Sequence, residues 1–486
     1  MLARDIMFNI AGRLVPAIIT FATVPIYLSY IGETQYAFVG ILVTMQSMFI
    51  LLDGGFSAGY LRRVAEFTIK KNSKKRLSNL TLSVEILFIL ISAIIYILMY
   101  NSLGWMVESW LKTDFVFSFD ALKLIFAIVS IRFLILPYYA CLKGFSKFDW
   151  VNTINITSSV AKFILALVLL ETYTSDVISI LIAFLVISFS ETFIIRLMVF
   201  KLVPYKDLSI QQGFVEILKI KRFIGGMALV SFLSALLSQL DKVVVSNILS
   251  LDSFSYYSIA ALLATIPLII STPIAGAIYP KLVQSVSIRT NELEYQYLFA
   301  SKYISVLVFP ICCMVLFNSD FILYFWTNSE SVMSEGSGPL SILIVANTIL
   351  AIMSMPYFIS LAYGDTSIPI RTNLIALILS LPAFYILGGK YNTIGVSIVW
   401  LSINFIFLFV YLYMIKLNQY LSYECLLNWI FNINLKSLLI SVIFSVLAKE
   451  IVAFTNDIAM QFLAIPLLFS INVFSCYRLV KLKSYL

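Results

Sequence analysis

FNIAGRLVPAIITFATVP, residues 8–25, decides how the rest of the chain is read, because it is apolar enough for lipid and yet carries an arginine, Arg13. With its flanks it exceeds the about 20 mostly apolar residues that a helix needs to cross a bilayer. Asn9, Arg13, Pro16, Thr20, Thr23 and Tyr27 recur at alternating spacings of four and three, so they share one helical face. Lipid cannot cover that face throughout. A charge at the centre of a spanning helix costs roughly 2.5–3.5 kcal/mol on insertion scales, so Arg13 needs a partner, a wet cavity or a ligand.

The same logic extends along all 486 residues. Apolar residues make up 61% and charged residues 12% of the chain, against roughly 45–50% and about a quarter in soluble domains. Fourteen apolar runs are long enough to span: about 6–29, 35–60, 80–103, 120–142, 150–170, 176–200, 223–250, 255–280, 303–326, 338–363, 372–388, 393–415, 437–453 and 458–478. The expectation is an all-α polytopic membrane protein. The first run lacks a small-residue cleavage site and reads as a retained helix with a cytoplasmic N-terminus. Five cysteines lie in or beside apolar runs without CxxC spacing, which predicts neither disulfide nor zinc. Histidine is absent, which removes the commonest general base near neutral pH.

Lys and Arg fall mostly on one set of alternate loops, and the positive-inside rule makes those loops cytoplasmic and places both termini on that side. The strongest signal is RRVAEFTIKKNSKKR, residues 62–76, which carries seven basic residues and one acid between the second and third spans. It reads as a topogenic loop that also gathers anionic lipid headgroups. The net charge of +8 therefore reports orientation and lipid contact, and nucleic acid is not an expected partner.

KLVPYKDLSIQQGFVEILKIKR, residues 201–222, is the longest polar stretch and suggests a cytoplasmic linker between lobes. The expected division is an N-terminal lobe 1–200 (spans one to six), the linker, a C-terminal lobe 223–418 (spans seven to twelve), and spans thirteen and fourteen in 419–486. IYLSYIGETQYAFVG (26–40) resembles VVVSNILSLDSFSYYSIA (243–260), and AGYLRRV (58–64) resembles GAIYPKLV (276–283). Both halves start on the same side, so the two six-helix lobes form a parallel repeat around a central cavity.

Charged residues within spans nominate the site. Arg132, Lys162 and Lys242, with Arg13, are the candidate substrate-path cations; Asp53, Glu191 and Asp241 are the candidate ion-coupling or ion-pair acids. Arg13 and Asp53 lie at similar depth and could pair. Arg132 and Lys162 have no acid three or four residues away, so each is paired across helices or left for an anion. Arg196 is near enough to the expected inner surface to snorkel. Asp241 and Lys242 are adjacent and are expected on different faces. Arg13, Arg132 and Lys162 exceed the first lobe's acids Asp53 and Glu191 by one, which favours an anion such as phosphate or pyrophosphate. Prolines 16, 25, 137, 267, 273, 280 and 356 mark expected bends or hinges.

Asn9, Gly12, Pro25, Tyr27, Gly32 and Tyr36, then Asp53, Gly54, Ala58, Arg62 and Arg63, and in the second half Asp241, Tyr257, Pro273 and Pro280, are motif residues at this point. Together they resemble the polysaccharide (O-antigen type) flippase branch of the MOP, MATE-like exporter superfamily. Ala37 and Ser255 stand where that pattern favours glycine. The resemblance implies rocking of two lobes around a central cavity, moving an undecaprenyl-pyrophosphate-linked oligosaccharide across the bacterial inner membrane. It also implies membrane lipids and polysaccharide-assembly proteins as partners, no cofactor, and H⁺ or Na⁺ as a possible coupling ion.

Three other functions compete. A cation-coupled drug or metabolite antiporter of the same superfamily would want an acidic surplus, which the first lobe lacks. A membrane polymerase, ligase or acyltransferase would need an acid or base beside a water-exposed acceptor; the outer acids Glu108, Asp114, Asp120, Glu171, Asp176, Glu330 and Glu335 lack paired spacing. A scaffold would tolerate neutralisation of every buried charge.

Overall fold

The computed structural model describes residues 2–50, 53, 56–69, 74–111, 118–145, 147–203, 209–288, 292–365, 367–454 and 458–480. Side chains at 2–14, 219–232 and 452–465, and at some single positions, lie outside that description. All regular elements among the described residues are helical, and nine helical stretches there are long and apolar enough to cross a membrane. The protein is a multi-pass membrane protein; the count of fourteen crossings remains a proposal.

The chain divides into two compact units, Met1–Ser255 and Tyr256–Leu486. The first unit contains α1 (Leu2–Ile50), α2 (Phe56–Ile69), α3 (Lys74–Asn101), α4 (Ser118–Leu134), α5 (Leu136–Gly144), α6 (Phe148–Thr172), α7 (Val177–Leu202) and α8 (Ile210–Ile248). The boundary falls in α9 (Leu251–Leu263).

At 1.5 Å per residue the 49 residues of α1 would measure about 74 Å, more than twice the about 30 Å hydrocarbon core. Gly32, with φ 72° and ψ 177°, breaks the run into two. A side chain is strained in that region of backbone space, so the break is written as glycine. The expected second span, 35–60, is also interrupted: α1 stops at Ile50 and α2 starts at Phe56. Asp53 stands in the gap and accepts from the Ser57 N–H at 3.2 Å and from its hydroxyl at 2.6 Å. It thereby satisfies one of the free amides that a helix start exposes. Much of the basic segment 62–76 consequently belongs to helices, with α2 running to Ile69 and α3 starting at Lys74.

The polar stretch expected as a linker, 201–222, is helical from Ile210 onward. Ser209 caps α8 through the Gln212 N–H, and α3 holds this end down. Asn79 accepts from the Ser209 N–H at 2.9 Å and donates to Gln212 Oε1 at 2.9 Å, while the Ser83 hydroxyl donates to the Ile210 carbonyl at 3.0 Å. Polar residues of the expected linker therefore make inter-helix hydrogen bonds. As α8 belongs to the first unit, the division expected at 201–222 stands as a proposal about repeats.

The second unit continues with α10 (Ile266–Ile288), α11 (Glu292–Phe317), α12 (Ser319–Thr327), α13 (Glu330–Ile352), α14 (Ser354–Ala362), α15 (Ser367–Leu417), α16 (Lys436–Phe454) and α17 (Ile458–Leu479). Its core gathers on α11, the most buried of the nine candidate spans, where Tyr297, Ile304 and Val308 meet Met355, Ile359, Trp429 and Ile433. The 51-residue α15 breaks at Tyr391 and Asn392, the latter with φ 52°. A Cβ on Gly395 would collide with the Leu387 carbonyl oxygen. Residues eight apart on a straight helix are about 12 Å apart, so the chain turns back on itself here.

Between α9 and α10 the helix breaks at Ala264–Thr265, just before Pro267, which has no N–H to give. The Asn347 amide donates to the Ala264 carbonyl at 2.8 Å, and Trp400 Nε1 donates to Asn347 Oδ1 at 3.1 Å. A buried break is thus supplied with the hydrogen bonds it would otherwise lack.

Candidate functional site

Four helices of the first unit converge on Glu191, which lies on α7 with its side chain 1% exposed. A carboxylate so sealed needs counter-charge and donors. Arg132, near the end of α4, places Nη1 2.7 Å from Glu191 Oε2. Lys162 of α6 brings Nζ to 3.5 Å from the same oxygen. The Tyr139 hydroxyl, on α5, lies 2.6 Å from Glu191 Oε1 and 2.6 Å from Asn155 Oδ1 on α6. It has one proton, so the two acceptors compete for it.

The break between α4 and α5 makes this convergence possible. Pro137 sits in the first turn of α5 and interrupts an otherwise continuous span, so Arg132 and Tyr139 approach Glu191 from two short helices. Adjacent Tyr138 and Tyr139 then reach different acids. The Tyr138 hydroxyl donates to Glu85 Oε1 of α3 at 2.9 Å, and Glu85 also receives Arg196 Nε. The Arg196 guanidinium lies over the Phe200 ring at 4.9 Å and pairs with Glu85 while 45% of the side chain stays exposed, which is compatible with the snorkelling its depth suggests.

The two clusters differ in charge. Glu85 and Arg196 cancel, whereas Glu191 faces two cations and the cluster carries one net positive charge. Exposure is also divided: the Arg132 and Lys162 side chains are 29% and 17% exposed in front of a closed carboxylate. An arriving anion could touch both cations without entering the pocket that holds Glu191.

The remaining nominated residues lie elsewhere. Asp241 and Lys242 are on α8, where Lys242 Nζ is 3.8 Å from Asp241 Oδ1. Their side chains thus meet along the helix, although neighbours 100° apart were expected to diverge. Asp53 serves the start of α2, as described. Arg13 is in α1, but its side chain is outside the described residues, so its pairing with Asp53 is a proposal only. Residues not singled out from the sequence include Glu85, a lone acid in the apolar run LSVEILF, and Glu216, which accepts from Arg63 Nη2 at 2.5 Å. Their partners are 111 and 153 residues away, beyond any local spacing rule. Among the described residues no three metal-ligating side chains gather.

Residues 2–286 match the family model described as polysaccharide biosynthesis protein. The chain belongs to the polysaccharide biosynthesis protein family. The match covers the first unit from residue 2 onward, including Arg132, Lys162 and Glu191. A Shigella flexneri relative, named as a candidate O-antigen transporter, is 22% identical over 403 residues, which is 82% of this chain and 93% of that protein. Among solved structures, the lipid II flippase MurJ in an inward closed conformation superposes with a TM-score of 0.75 at 20% identity, covering 97% of this chain and 99% of that one. An inward-facing multidrug resistance MATE family transporter of the MOP superfamily gives 0.66 at 16% identity, covering 86% and 96%. This family member therefore shares the all-α, MATE-like fold expected from its sequence.

Proposed function

We propose that the protein is a flippase that carries an undecaprenyl-pyrophosphate-linked oligosaccharide repeat unit, of O-antigen or related surface polysaccharide, across the bacterial inner membrane by alternating access. Both termini lie on the cytoplasmic side in this reading. The observation that carries it is the pair of partly exposed cations, Arg132 and Lys162, in front of one sealed acid. A surplus positive charge inside a membrane protein attracts an anion and is costly without one. Pyrophosphate is compact and multiply charged, and a guanidinium beside an ammonium suits it. Arg13 and Lys242 are further cations along the path. The transporter names of the relatives support transport rather than catalysis, and polysaccharide-assembly proteins are natural neighbours.

The competing antiporter reading draws on the MATE-like fold and on Asp241, which is 4% exposed on α8. It fits less well because a cationic cargo would meet net positive charge at the Glu191 cluster. Asp241, Glu191 or Asp53 can still take a coupling H⁺ or Na⁺ in the flippase.

The test is surface glycan display in a deletion strain complemented with Arg132→Ala, Lys162→Ala or Arg13→Ala, with the amount of inserted protein measured in parallel. Lost display at normal protein levels is the expected result. Normal display in all three would remove the proposal.

A further inference from the structure

The first unit holds a cavity of about 250 Å³ that the Glu191 cluster does not touch. It lies between the second half of α1, the π-helical turn Met106–Leu111 and the end of α8. Its walls include Met45, Met48, Met106, Trp105, Trp110 and Ser246, and no charged residue lines it. The polar groups at one edge are already engaged. Trp110 Nε1 donates to the Ser246 hydroxyl at 3.2 Å, and that hydroxyl donates to the Val243 carbonyl at 2.9 Å. The Thr44 hydroxyl, also in the wall, is buried without a hydrogen-bond partner. With that one hydroxyl and no charge the cavity offers little to a sugar or a phosphate, and a mainly apolar cavity of this kind takes hydrocarbon in preference to water.

Shape and lining narrow the occupant. The cavity is open, and Trp105 at its rim is 57% exposed while packing on Trp110 with ring centroids 5.5 Å apart. An open apolar slot suits a chain that enters and leaves, whereas a closed one would suit a discrete molecule. Three methionines give flexible, polarisable walls that adapt to an uneven profile, and indole faces pack against unsaturated carbon. A methyl-branched, unsaturated isoprenoid fits such walls better than a straight acyl chain. We infer that this cavity binds part of a polyprenyl chain. The inference rests on the proposed function, which puts the cargo on such a chain, but the site is separate from the cations that would meet its pyrophosphate.

An uncharged probe separates the two claims. The full-length protein in nanodiscs is photolabelled with a diazirine-bearing polyprenol, which lacks any phosphate, or with a diazirine phosphatidylglycerol, and adducts are mapped by mass spectrometry. Polyprenol adducts are expected at Met45, Met48, Met106 and Trp110. They should fall about tenfold, the equivalent of about 1.4 kcal/mol, in Met48→Trp and in Met106→Trp, and excess unlabelled undecaprenol should displace them. Arg132→Ala should leave them unchanged, so loss of the flippase reading through normal glycan display in all three cation variants would not remove the site. Two results would overturn the inference. One is polyprenol labelling spread over lipid-facing positions such as Ile94 and Leu98 and equal in wild type and both tryptophan variants. The other is cavity labelling by phosphatidylglycerol that undecaprenol does not displace.

Discussion

Arg132 and Lys162 end on the same oxygen, Glu191 Oε2, at 2.7 and 3.5 Å, although they lie on different helices. One carboxylate thus restrains two cations, and its removal should be worse than removal of either partner. Glu191→Ala is expected to destabilise the protein by roughly 3 kcal/mol, since breaking a buried pair leaves charge uncompensated. Replacing the whole cluster, Arg132→Met with Lys162→Met and Glu191→Leu, should regain most of that stability. Thermal unfolding of the detergent-solubilised proteins measures both. A Glu191→Ala protein as stable as wild type would show that the carboxylate is dispensable to the fold.

Gly32 sets the corner in α1, and its φ of 72° with ψ of 177° is nearly closed to other residues. Gly32→Ala is expected to cost about 1–3 kcal/mol, read as a lower unfolding temperature. Space is not the cause, because nothing lies within 4 Å of the position a Cβ would take. Unchanged stability would mean that the corner relaxes into ordinary backbone.

Asp53 accepts from both the N–H and the hydroxyl of Ser57 at the start of α2. Asp53→Ala should lose about 1 kcal/mol, the usual worth of such a cap, and Asp53→Asn should keep most of it. If Asp53 also pairs with Arg13, the exchange Arg13→Asp with Asp53→Arg should restore more glycan display than either single reversal. Equal damage in all three argues that capping is the whole role of Asp53.

These residues show how far the sequence could be read. Arg132, Lys162 and Glu191 stood out because a charge in an apolar run is rare and expensive, which one-dimensional inspection detects. Their mutual pairing was not readable, since Arg132 and Glu191 are 59 residues apart and meet only once α4, α6 and α7 pack. Arg196 shows the same limit: its depth suggested snorkelling, and only packing brings Glu85 to it. The stretch 201–222 shows a different limit. Polar composition marks a loop and a polar helix face alike, and the deciding contacts, Asn79 with Ser209 and Gln212, come from a distant helix.

Asp365 lies between α14 and α15, outside the candidate spans, and accepts from the Ser367 N–H at 2.9 Å, the Ser367 hydroxyl at 2.6 Å and the Tyr420 hydroxyl at 2.8 Å. Burial pushes its carboxyl upward, but these donors outweigh it and hold the group below the usual carboxylate range. Tyr420 is pushed up to about 12 by burial and by the same hydrogen bond. A depressed folded-state carboxyl stabilises above its ordinary value of about 3.9 and loses that contribution as pH falls through the folded value. The stability difference between wild type and Asp365→Asn should therefore be constant from neutral pH to about pH 5 and shrink below about pH 4. A difference that does not change with pH would show that the carboxylate's charge contributes nothing.

The most direct measurement is binding of fluorescent undecaprenyl pyrophosphate to the purified full-length protein in nanodiscs, comparing wild type with the triple variant Arg132→Met, Lys162→Met, Glu191→Leu. If the excess positive charge receives the pyrophosphate, the triple variant stays folded and its affinity falls at least about tenfold, or about 1.4 kcal/mol. Equal affinity in a folded triple variant would contradict a role for this cluster in holding the cargo.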